Sequence, residues 1–187
     1  MSPLTSWENF YIIVGSSAGA LTGLLFVAVT LVAQVQVRIG DDRGIRAFST
    51  PSLVQFGVVL FISAMLSAPW PSLVPPALVL GLVGLAGVIY TLIVVRLLRS
   101  VGSYEPVVED WVWYAACPLV AYAALLAAAL LLSDHPDPAL FAIAAVMLGL
   151  LFLGIRNAWD IVTYLAIEFV VRQDERKEGD ERKEGKK

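Results

Sequence analysis

Cysteine and histidine are nearly missing from the chain, with Cys117 and His135 the single members of their kinds. One thiol makes no internal disulfide and no cysteine metal cluster, and one imidazole supplies no multi-histidine site. Charge is scarce as well: 16% of residues are Asp, Glu, Lys or Arg against 58% hydrophobic ones, a balance foreign to ordinary soluble domains. Charged side chains are absent from four long stretches, Asn9 to Val37, Ala47 to Val95, Trp111 to Ser133 and Pro138 to Ile155. Roughly 20 apolar helical residues cross a hydrocarbon core about 30 Å thick, so each stretch has room for at least one membrane span.

The second stretch is too long for a single helix and is broken at Ala68-Pro69-Trp70-Pro71-Ser72-Leu73-Val74-Pro75-Pro76. Its prolines remove backbone donors and stop a continuous helix. The expectation is an all-α, polytopic membrane helix bundle of five transmembrane helices, at about 9–35, 51–68, 76–98, 112–132 and 138–160. Helix-start signals fit these bounds: Thr5 with Glu8 is a capping-box pattern, Thr50-Pro51 and Asp137-Pro138 set a capping residue before a first-turn proline, and Pro76 opens the third span. Cys117-Pro118 is expected to kink the fourth. The bundle with a helical extension would occupy residues 1–172, and residues 173–187 would form a charged cytoplasmic tail, disordered or marginally helical.

Basic residues decide the orientation. Arg38, Arg43 and Arg46 follow the first span, Arg96 and Arg99 end the third, and seven Lys and Arg residues lie beyond Val171, whereas the N-terminus, the proline turn and the Ser133 to Asp137 loop carry none. Because Lys and Arg in short loops stay on the cytoplasmic side, the N-terminus is expected outside and the C-terminus in the cytoplasm, as an odd number of spans requires. No basic region precedes the first apolar run, so that run is expected to remain as a span. Trp7, Phe10 and Tyr11 at one end and Trp111, Trp113 and Tyr114 at the other are expected to be interfacial anchors.

Two groups of residues stand out as functional candidates. Gly15, Gly19 and Gly23 repeat at every fourth position and set a small-residue face on the first span, which invites close packing against another span or a second copy of the chain. Ser16, Ser17 and Thr22 beside them are expected to return their hydroxyls to their own helix. The other group is a polar layer near the cytoplasmic boundary: Arg156, Asn157 and Asp160 on the last span, joined by Gln55 on the second and Gln34 at the end of the first. Arg156 and Asp160 are four apart and can pair on one helical face, and Asn157 is expected to bond a neighbouring helix.

The opening Trp7-Glu8-Asn9-Phe10-Tyr11-Ile12-Ile13-Val14-Gly15-Ser16-Ser17-Ala18 and the later Asn157-Ala158-Trp159-Asp160 resemble a group of small uncharacterised bacterial multi-span integral membrane proteins. The likeness covers two of the five expected spans; it implies a bacterial inner (plasma) membrane location and transfers no catalytic residue. The spans contain no acid before Asp160 and no histidine, so catalysis and proton-coupled transport lack their usual groups. The expectation is a non-enzymatic scaffold or regulator, without cofactor or metal, that assembles through glycine-mediated helix packing. The alternatives are a subunit of a small oligomeric ion channel and, behind it, a membrane enzyme or proton-coupled carrier. The bilayer is the expected partner, with a homo-oligomer or another membrane protein next and nucleic acid excluded, because the tail interleaves its basic residues with acids.

Overall fold

The computed structural model describes residues 3–36, 43–100 and 112–184, and among these every regular element is helical. A short 3₁₀ turn, Pro3–Trp7, leads into α1 (Glu8–Gln36), followed by α2 (Arg43–Leu66), α3 (Val74–Ser100), a π turn at Val112–Ala116, α4 (Cys117–Leu131) and α5 (Pro136–Glu184). Three segments are long and apolar enough to cross a membrane: Pro3–Thr30, Val74–Arg96 and Pro136–Asp160. The apolar parts of the other two helices, Ser52–Leu66 and Cys117–Leu131, are shorter.

The helices pack as two hairpins around a central rod. α1 lies along α2, α3 lies along α4, and α5 packs against both α2 and α4. More than half of the apolar window of α5 is buried, against 22% for α1 and α3, so α5 is the core and the outer two are the rim. Leu140, Ile143, Met147 and Leu150 of α5 meet Phe56, Ile62 and Leu66 of α2, Tyr122 and Leu125 of α4 and Leu132 just after it in one buried cluster. Ile13, Leu24, Leu78 and Leu82 on the rim are about two-thirds exposed, an apolar surface that water would not tolerate and acyl chains would.

Several helix starts differ from their sequence signals. Thr5 lies within the 3₁₀ turn, and the α-helix begins at Glu8, so this Thr–Glu pair does not frame the α-helix start. α2 begins at Arg43, which puts Pro51 in the helix interior and not at its opening. A proline there deletes one backbone bond without ending the helix when the surrounding residues continue it. At Cys117-Pro118 the helix type changes: the π turn ends and α4 starts, with Pro118 in its first turn, where a missing N–H leaves no bond unmade. α5 starts at Pro136 and runs for 49 residues, through the segment where the sequence leaves disorder and marginal helix open. The expected anchor Trp111 lies outside the described residues.

Candidate functional site

The glycines hold the bundle tightly enough for a polar cluster to form inside it. A Cβ placed on Gly15 would come within 2.7 Å of Ser63 Cβ on α2, whereas one on Gly19 would meet only Leu60 Cδ1 at 3.8 Å and one on Gly23 would meet nothing within 4 Å. The small-residue face of α1 therefore closes on α2 at Gly15 and opens toward Gly23. Approaches as tight or tighter lie elsewhere. At Gly84 a Cβ would fall 2.8 Å from the backbone nitrogen of Leu126, at Gly87 it would strike the ring of Tyr122, and at Gly154 it would come within 2.5 Å of Phe56 Cε1. Gly84 and Gly87 seat α3 on α4, and Gly154 seats α5 on α2.

Ser17 and Thr22 give their hydroxyls to the carbonyls of Ile13 and Ala18, four residues back, so they add nothing to an interhelical site. Among the described residues an interhelical side-chain bond joins α5 to α2. Asn157 Nδ2 of α5 donates to Gln55 Oε1 of α2 at 3.3 Å, and both side chains are buried. Around this pair stand Ser52, one turn before Gln55 and fully buried, and Thr91 on α3, whose hydroxyl donates to the carbonyl of Gly87. Asn157 Oδ1 and Ser52 Oγ are buried without hydrogen-bond partners. A small cavity of about 30 Å³ lies here, lined by Gln55, Tyr90, Thr91, Val94, Pro118, Tyr122 and Asn157. Four helices thus contribute to one polar pocket.

One residue along α5, the guanidinium of Arg156 sits 4.0 Å from the centroid of the Trp113 ring. The π turn that presents Trp113 is a widened helical turn, a geometry that re-aims side chains. Arg156 is half-buried, whereas Asp160 and Trp159 are exposed. Trp113 is a half-buried seat for a cation in this arrangement. Its replacement, Trp113→Leu, should lower stability in lipid by about 0.5–2 kcal/mol, as loss of a cation–π contact does. Thermal unfolding in bicelles reads this, and an unchanged midpoint would remove the ring from the account.

The structure joins Asn157 to Gln55 from the expected polar layer and places Arg156 beside them on α5; the side chain of Gln34 lies outside the described residues. Ser52, Thr91 and Tyr122 belong to the site without having been singled out from the sequence, and Trp113, expected as an interfacial anchor, lies against Arg156. Thr91 had a signal, being an aliphatic hydroxyl in a long apolar run, where every polar group needs a partner. The contact of Trp113 with Arg156 had none, because only tertiary packing brings the two together. Among the described residues, no group of three or more His, Cys, Asp or Glu side chains is placed to hold a metal ion. Comparison with family models, with curated proteins and with solved structures returned no match.

Proposed function

We propose that the chain is a five-span protein of a bacterial inner membrane, N-terminal end outside and C-terminal end in the cytoplasm, that acts as a non-enzymatic scaffold or regulator. α2 and α4 lie antiparallel along α1 and α3, so shorter apolar helices share the layer that the longer ones cross. The resemblance of the opening and of Asn157-Ala158-Trp159-Asp160 to small bacterial membrane proteins supports the location.

The observation that carries the functional reading is α5. It is the most buried of the three long apolar helices and continues without a break to Glu184, 24 residues past Asp160, or roughly 36 Å at about 1.5 Å per residue. A rod anchored in the core and projecting past the bundle links the packing of the spans to whatever binds its far end. The interhelical pair Asn157–Gln55 supports the same reading, since it is buried at a small pocket among α2, α3, α4 and α5.

Native mass measurement from lipid nanodiscs tests this. The scaffold reading expects one chain per particle when no partner is present; a fixed ring of four or more copies would favour the channel subunit instead. Topology is checked separately by reporter fusions. A cytoplasmic reporter should be active at the C-terminal end and silent in the Pro69 to Pro76 turn, and the reverse pattern would refute the orientation.

A further inference from the structure

The pocket at Asn157 has an acceptor left over. Asn157 is 1% exposed, one of its two amide N–H groups is given to Gln55 of α2, and its Oδ1 has no partner, although the side chain lines a cavity shared with α3 and α4. The Thr91 hydroxyl points its hydrogen at the carbonyl of Gly87, which leaves its oxygen as a second acceptor on that wall. Gln55 Oε1, with one lone pair taken by Asn157, is a third. An occupant that donates hydrogen bonds satisfies these acceptors, and the second N–H of Asn157 remains to donate in turn.

The cavity measures about 30 Å³, and a water needs roughly 10–15 Å³ by the same measure, so one or two water-sized molecules fit. Among the described residues no carboxylate lines the wall, so a cation would enter without a carboxylate counter-charge. We propose that this pocket is a hydration site, in which one or two bound waters donate to Asn157 Oδ1 and Thr91 Oγ1 and join α5 to α3. Direct bonding at Asn157 reaches α2 alone; the water extends the polar contact to the second hairpin. Removing an acceptor on the α3 wall weakens that link without touching the Asn157–Gln55 bond.

Asparagine labelling reads this cleanly, because the chain has two asparagines, Asn9 and Asn157. The full chain, labelled at asparagine and reconstituted in bilayers, is measured by water-edited solid-state NMR, with exposed Asn9 assigned through Asn9→Gln. The Asn157 side-chain signal should receive magnetisation from water, and Thr91→Val should slow that transfer several-fold while leaving the Asn157 chemical shift near its original value. An Asn157 signal silent to water while that of Asn9 responds would overturn the proposal. So would a shift of the Asn157 signal that saturates with sodium or ammonium chloride and not with choline chloride, which would mark a cation site.

Discussion

Gly84→Ala should loosen the α3–α4 hairpin, and Gly84→Leu should break it. The added Cβ meets the backbone nitrogen of Leu126 at 2.8 Å and its Cα at 3.0 Å, atoms that cannot rotate away as a side-chain tip can. Overpacking of this kind costs about 1–3 kcal/mol and occasionally more. Gly19→Leu should be milder, since the first contact is the movable end of Leu60 at 3.8 Å. Gly23→Leu meets open space and should stay within about 0.5 kcal/mol of the parent, like other surface changes. Unfolding in bicelles ranks the three, and equal stabilities for the Gly84 and Gly23 variants would sink the packing account.

Asn157→Leu and Gln55→Leu should each destabilise the bundle by about 1–3 kcal/mol, because each leaves a buried amide without its partner. The double variant should cost less than the sum. Interhelical hydrogen bonds in membrane proteins couple by about 0.6 kcal/mol on average and up to about 1.7, so a cycle in bilayers resolves the term if the 3.3 Å contact holds there. Strict additivity would mean that the two amides do not bond.

Much of this arrangement is written in local sequence. The proline cluster from Pro69 to Pro76 separates α2 from α3, and long uncharged stretches mark the helices, because both act through the backbone and the solvent without needing a partner. An asparagine and a glutamine in apolar runs are each obliged to find a partner, which made Asn157 and Gln55 a natural pair. The glycine repeat shows the limit of such reading. Its spacing says that α1 can approach another helix but not at which rung, and helices that cross at an angle touch at one point and part along the rest. Gly15 is at that point and Gly23 is beyond it. Pro51 misleads for a related reason: a proline is compatible with a helix start but does not require one, and the residues from Arg43 onward continue the helix through it. Trp113 under Arg156 depends on packing between elements distant in the chain, which spacing along one helix does not encode.

A scaffold, as proposed, does not line a passage for ions with its buried polar residues. Ion flux through vesicles containing the purified full chain tests this most directly. The account predicts leakage of sodium, potassium and chloride equal to that of empty vesicles, for the parent and for Asn157→Leu alike. A flux that rises with the amount of protein and is abolished by Asn157→Leu would contradict it.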